Sequence, residues 1–283
     1  QTNSSGTLSW TTNGSVSDLD DLSDVLVEAT SSIYVGNDPS GTTSSANYNV
    51  ALGTTALDAI TTGDNNVAVG YDALTSNTTG EDNTASGYQA LKTNISGDKN
   101  TASGYQALYS NTTGHSNTAT GHNSLYSNTT GNANTATGYQ SMKSNTEGGY
   151  NTASGYYSLY SNTEGIYNTA NGYQSLYSNT TGQNNTASGF RSLYLNVNGY
   201  RNTGFGDMSL SATVQGSDNT AVGYYALKAN TSASDNTALG KEAGDVITTG
   251  SDNIIIGSES DPSAAAASNQ IVIGKGATGH GNN

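Results

Sequence analysis

The chain has no cysteine, few charged residues and no long apolar run, and each lack removes a class of protein. Without cysteine there is neither a disulfide framework nor a Cys-based metal site, and thiols carry no information about redox compartment. No apolar run approaches the roughly 18 residues that a membrane-spanning helix needs. Basic residues number 8 against 22 acidic, giving a net charge of −14 with no basic patch. Nucleic acid and anionic lipid are therefore disfavoured as partners, because both are bound by clustered Lys and Arg. The chain begins at Gln1 with no basic-then-apolar leader, so the expectation is that any signal peptide has been removed or never existed.

Large apolar side chains are scarce as well. Hydrophobic residues make up 33% and charged residues 11%, against about 45–50% and about 25% in ordinary globular domains. Low hydrophobicity combined with high charge reads as disorder, but here charge is sparse and there are 19 tyrosines. Something other than a packed apolar core must order this chain.

What is present is a period. Glycine recurs at Gly36, Gly53, Gly70, Gly87, Gly104 and onward to Gly274, fifteen positions at an unbroken spacing of 17. Asparagine keeps the same register from Asn49 through Asn66, Asn83 and Asn100 to Asn253, and threonine from Thr84 to Thr237. Leucine occupies Leu57, Leu74, Leu91, Leu108 and Leu125, yields to Met142, and resumes at Leu159. A second glycine closes the Thr-Thr-Gly or Thr-Glu-Gly turns, as at Gly80, Gly114 and Gly148, and keeps its place at Gly97. The unit reads N-T-A-S-G-Y-Q-A-L-Y-S-N-T-T-G-x-x.

A unit this short cannot be a domain and is too regular for a linker, so it reads as one coil of a solenoid stacked on its neighbours. The T-A-x-G stretch is the expected strand, and N-T-T-G supplies turn chemistry with a glycine free to take positive φ. The Y-Q-A-L-Y-S segment is read as a second short strand or irregular β structure, with a single helical turn as the alternative. Identical side chains stacked about every 4.8 Å form ladders, and about fifteen coils span roughly 70 Å. The expected fold is all-β, a parallel β-solenoid over residues 32–283, preceded by a non-repetitive connector over residues 1–31. That connector carries Asp18, Asp20, Asp21 and Asp24 around Leu19, Leu22, Val25 and Leu26, and is expected to hold one short helix and to join a larger fibre or particle.

The apolar core of one coil, such as Leu91, Ala85, Ala90 and Gly87, is thin for 17 ordered residues. The other strand face, Thr84, Ser86 and Tyr88 in a middle coil, turns apolar towards both ends, where Val67 and Val69, or Ile254, Ile256, Ile271 and Ile273, take the Thr and Ser columns. A face that accepts Val and Ile is expected to be covered, within the coil or by a partner. The expectation is a homo-oligomer, a parallel trimer.

The unit N-[TV]-A-x-G, as in Asn66-Val67-Ala68-Val69-Gly70 and Asn219-Thr220-Ala221-Val222-Gly223, resembles the head repeat of YadA-like trimeric autotransporter adhesins. The longer unit from Gly70 to Gly80 is similar to the repeats of phage tail-fibre-domain proteins and related secreted bacterial surface proteins. The run from Asn269 to Gly279 resembles the region that precedes an endosialidase-type intramolecular chaperone. The resemblance spans about residues 32–283. It implies a trimeric left-handed parallel β-roll in an extracellular fibre, a virion tail fibre or cell-surface appendage, touching a host or neighbouring cell-surface glycan or protein. The coil is longer than that of the adhesin heads, and no anchor barrel or stalk follows, so a processed product or trimmed piece is expected rather than an autotransporter in the strict sense.

Candidate sites are few. Gly70, Gly87, Gly104, Asn83, Asn100, Leu91 and Leu108 represent the structural repeat. The tyrosine columns, above all Tyr88, Tyr105, Tyr139, Tyr156 and Tyr173, are candidates for glycan contact, with a ladder that covers the thin core as the plainer reading. Acidic turn residues Asp64, Asp82, Asp98, Asp218, Asp235 and Asp252 suit Ca²⁺ as hard oxygen ligands, but Ser116, Ala133 and Gln183 break any continuous edge. His115, His122 and His280 lie in different columns and read as surface residues. No phosphate-loop motif occurs and no coil carries paired carboxylates facing one groove, so neither an enzyme nor a cofactor is expected. Sequons such as Asn77-Thr78-Thr79 and Asn111-Thr112-Thr113 read as turn chemistry. The leading reading is an adhesive structural fibre; a carbohydrate-binding module is the alternative and an ice-binding solenoid the third.

Overall fold

A computed structural model describes residues 25–27, 32–36, 39 and 45–280. Among the described residues sixteen strands of three residues each form one sheet in sequence order. The first, β1 (Val25–Val27), pairs antiparallel with β2 (Ile33–Val35). From β2 to β16 (Ile271–Ile273) every pairing is parallel with a register shift of 17, as Thr101↔Thr118 and Ala102↔Ala119 illustrate. The protein is therefore a parallel β-solenoid with one strand per coil. Among the described residues there is no α-helix. The short helix expected of the connector is corrected at residues 25–27, which form a strand; the rest of that expectation lies outside the described residues.

The coil from Asn100 to Ser116 shows why the sequence folds this way. Thr101–Ser103, β6, is β-branched and alternating, so Ala102 points inward and is fully buried while Thr101 and Ser103 face out. The Thr101 N–H donates to the Asn117 carbonyl at 2.8 Å and the Gly104 N–H to the Ser86 carbonyl at 2.8 Å. Gly104 then turns the chain with φ +139, and a Cβ there would lie 2.6 Å from the Gly121 carbonyl oxygen of the next coil. Both the dihedral and the close approach require glycine. This accounts for the unbroken column.

The Y-Q-A-L-Y-S segment is neither strand nor helix. Gln106 and Leu108 both sit in the left-handed region, φ 51°, while their neighbours do not, so no regular helix or extended run can propagate. Instead two tight turns follow each other: the Ala107 N–H donates to the Gly104 carbonyl at 3.4 Å and the Asn111 N–H to the Leu108 carbonyl at 3.2 Å. The remaining groups still bond from coil to coil, Gln106 N–H to the Tyr88 carbonyl (2.9 Å) and Leu108 N–H to the Ser124 carbonyl (3.0 Å). The segment is thus irregular structure with ladder bonding, and the strand and helical-turn readings are both corrected. The left-handed twist at Leu108 swings its side chain inside, where it is fully buried.

The expected role of the second glycine is also corrected. Gly114 and Gly165 do not adopt positive φ; a Cβ on Gly165 would instead lie 2.5 Å from the Gly182 carbonyl oxygen and collide with Asn162 Oδ1. Close packing against the next coil is what excludes a side chain there.

Inside a typical middle coil lie one leucine, one strand alanine, one Ala or Ser such as Ala107 or Ser124, and two asparagines. The asparagines complete the core that apolar residues leave thin. Asn100, just before the strand, and Asn111, after the turns, are both fully buried. Asn111 donates to Asn94 Oδ1 at 2.7 Å and to the Gly114 carbonyl at 2.8 Å, and this second ladder runs without a break from Asn77 to Asn196. At its two ends the column holds Ile60 and Ile247, both buried.

Candidate functional site

Three sets of side chains project from this scaffold. The first follows the glycine column: Tyr71, Tyr88, Tyr105, His122, Tyr139, Tyr156, Tyr173 and Phe190 stack with centroids 4.8–5.4 Å apart and planes within 25°. The coil repeat dictates this spacing, since identical side chains on consecutive coils stand one strand separation apart. All five tyrosines expected to contact glycan fall in this column, with 39–45% of each exposed. Their ring faces, however, lie against one another. A sugar that stacks on an aromatic needs a free ring face, and within the stack each face lies against the next ring; at its far end the Arg191 guanidinium lies over Phe190, 5.2 Å from the centroid.

A second column contains Tyr109 and Tyr126, 5.0 Å apart, and Tyr160, Tyr177 and Tyr194 at 5.2–5.3 Å. Lys143 interrupts it and places Nζ 6.0 Å from the Tyr160 centroid. Tyr157, in a position that the coils on either side fill with Gln140 and Gln174, joins the two columns edge-on: 4.3 Å from Tyr156, 5.1 Å from Tyr160 and 6.1 Å from Tyr177. The hydrogen bond with Tyr156, followed by burial among the rings, pushes the Tyr157 phenol up to about 12. Periodicity does not reveal this bridge, because Tyr157 departs from the repeat.

The acidic turn residues occupy two columns rather than one edge. In the first, the side chain accepts a backbone N–H from the preceding coil: Asn47 N–H to Asp64 Oδ1 at 2.7 Å and Glu81 N–H to Asp98 Oδ1 at 2.8 Å. His115 N–H to Asn132 Oδ1 and Ser217 N–H to Ser234 Oγ repeat the pattern with neutral acceptors. In the second, Asp82, Asp218, Asp235 and Asp252 all hold positive φ near 57–60°, a conformation that Asp and Asn tolerate better than most residues. Asp218 is also paired with Arg201 at 2.5 and 2.8 Å. These roles are structural, and among the described residues no group of three or more His, Asp or Glu is placed to hold a metal ion. His122 stacks within the tyrosine column, and His115 is exposed in a turn.

Two carboxylates depart from ordinary behaviour. Burial raises the Asp72 carboxyl, but hydrogen bonds from Lys92 (2.8 Å), Thr55 and Gln89 (3.2 Å) outweigh it and hold the group below the usual range. Asp261 is raised, by burial first and then by the neighbouring Asp245. The sequon asparagines Asn77 and Asn111 are fully buried in the second ladder, so the folded chain presents neither amide to a glycosylating enzyme.

The third set is the outer face of the strands. Along β2–β16 two side chains per strand point outward, 30 in all, and none is charged. β2 to β4 contribute Ile33, Val35, Val50, Leu52, Val67 and Val69; β5 (Thr84–Ser86) to β11 (Thr186–Ser188) contribute only Thr, Ser and Asn171; β12 (Thr203–Phe205) to β16 contribute Phe205, Val222, Leu239, Ile254, Ile256, Ile271 and Ile273 beside three threonines. The face is not folded into the coil: Val67 is 36% exposed and Ile273 67%.

No family model matches the chain, and no curated protein matches it significantly. No helix among the described residues is long and apolar enough to cross a membrane.

Proposed function

We propose that this chain is an extracellular, structural and adhesive fibre segment, part of a virion tail fibre or cell-surface appendage, that acts as shaft and surface-contact element. The observation that supports it best is the continuity of the stack: β2 to β16 in one register of 17, with the strand-entry bond held between 2.8 and 2.9 Å wherever it recurs. A scaffold without insertions repeats one surface along roughly 70 Å, which suits spanning a distance better than enclosing a substrate. The thin single-chain core supports a homotrimer, and the resemblance of the N-[TV]-A-x-G unit to adhesin heads supports a left-handed coil. Electron microscopy of the native particle or cell surface with an antibody against this chain tests the reading; label on filaments is expected, and label confined to dissolved monomer would overturn it.

Glycan contact is a second reading, favoured by the fused aromatic patch where Tyr157 joins Tyr139, Tyr156, Tyr160 and Tyr177. A glycan array with the intact oligomer tests it. Binding lost in Tyr157→Gln supports an adhesive role for this patch on the side of the shaft, and no binding leaves the shaft role alone.

A further inference from the structure

The outer strand face combines three properties that ordinary protein surface does not. It carries no charged side chain over 30 positions, although the chain has 30 charged residues elsewhere to distribute. It is exposed within the single chain, Val50 at 41%, Leu239 at 49% and Ile271 at 71%. It is also divided along its length into an apolar block of three strands, a hydroxyl block of seven and a mainly apolar block of five. Depletion of charge is the compositional mark of an interface core, and contiguous exposed apolar blocks mark contact surfaces.

We infer that this face is where copies of the chain meet, side by side, parallel and in register. The inference rests on the self-association proposed above and adds the surface and the alignment. The area is adequate. Fifteen strands at about 4.8 Å and about 10 Å of strand width give roughly 700 Å² of flat face, close to the roughly 800 Å² per partner of a standard specific interface. The block pattern sets the alignment. With copies parallel and in register, Val67 meets Val67, the threonines of β5–β11 meet one another, and Ile254 meets Ile254. In an antiparallel arrangement the three-strand block would face five strands, leaving part of the longer apolar block against hydroxyls. A one-coil slip costs little within the uniform middle but misaligns both ends, so the ends hold the register and the middle tolerates it. The aromatic columns, which the sequence pattern places on this face through Tyr88, and the acidic turns both lie outside the three-residue strands that form it.

The natural absence of cysteine makes the test direct. Single-cysteine variants Val67→Cys, Thr135→Cys and Ile254→Cys on the face, with Thr130→Cys in an exposed turn as control, are treated with a short bismaleimide, and the mass of the untreated oligomer is measured separately. Covalent dimers are expected from each face variant and not from Thr130→Cys. A mixture of Val67→Cys and Ile254→Cys chains should give no mixed product. Mixed product would overturn the parallel alignment, and an oligomer that links only through Thr130→Cys would overturn the choice of face while leaving the assembly intact. A monodisperse monomer overturns both. A monomer that also binds and shapes growing ice would assign the hydroxyl block to ice rather than to a second copy. Thr118→Glu with Thr152→Glu should dissociate the oligomer with an unchanged circular dichroism spectrum, whereas Ser144→Glu should leave it assembled.

Discussion

Asn100 grips Asn83 twice: its backbone N–H and its side-chain Nδ2 both donate to Asn83 Oδ1, at 3.0 and 3.1 Å. The same Nδ2 also donates to the Gly114 carbonyl, 2.8 Å away. One buried amide therefore satisfies groups in its own coil and in the one before, and its Oδ1 does the same for Asn117 in the coil after.

Removing that amide strands a buried backbone donor. Asn100→Leu leaves the Asn117 N–H without its partner, while the Gly114 carbonyl keeps Asn111 Nδ2 at 2.8 Å; at about 1–3 kcal/mol for a buried unsatisfied group the local cost is about 1–3 kcal/mol. Because coils contact only their neighbours, the loss should appear as faster amide exchange from about Asn83 to Asn117, with distant coils unchanged.

The second ladder has a natural break that can be mended. Thr213 stands where the column calls for asparagine, and both Thr213 Oγ1 and Asn196 Oδ1 are buried without a hydrogen-bond partner. The next member, Asn230, turns its Oδ1 to the Ala233 N–H instead. Thr213→Asn should reconnect Asn196 and Asn230 and stabilise the C-terminal coils by about 1 kcal/mol, read as a raised thermal midpoint. An unchanged or lowered midpoint would show that the threonine is the better fit.

Gly104→Ala meets a strained dihedral and a backbone oxygen together. Since the obstruction is the Gly121 backbone, which cannot move without shifting the next coil, a loss of at least about 2–3 kcal/mol is expected in denaturant titration. The same substitution at Gly276, with no atom within 4 Å of its Cβ site, meets only the strain of φ +61° and should cost less.

Tyr157 gives an alkaline signature. Its folded value of about 12 lies above the ordinary 10.0, so its contribution to stability is complete below about pH 10 and fades as pH rises through 12. Tyr177 and Tyr224 are raised as well, so ultraviolet titration should show a group of phenols ionising late. Tyr157→Gln, which restores the residue type of neighbouring coils, should reduce the amplitude of that late step.

The glycine, leucine and first asparagine columns make the solenoid, its period and its strand legible from residue type and spacing alone. The features that spacing does not disclose have a common cause. Gln106 and Leu108 adopt left-handed φ without being glycine, asparagine or aspartate, so residue type carries no sign of the turns they make. Asn111 reads as turn chemistry because N-T-T-G is turn-like locally; only stacking reveals it as a buried ladder. Gly165 reads as a residue needed for its dihedral, whereas its real constraint comes from Gly182, 17 residues away. The tyrosine columns are legible as columns, but ring faces turned against each other follow from the strand separation, which changes what those rings can grasp.

Joining each coil only to its neighbours also fixes how the molecule responds to force. Tension along the axis loads the ladders in series, and an end coil, held by one neighbour instead of two, is the first to part, freeing a single 17-residue loop while the remaining ladders stay closed. Each event lengthens the chain by roughly 55 Å, at about 3.3–3.6 Å per extended residue. The shaft would then yield in small equal steps, absorbing a pull coil by coil instead of failing as a whole.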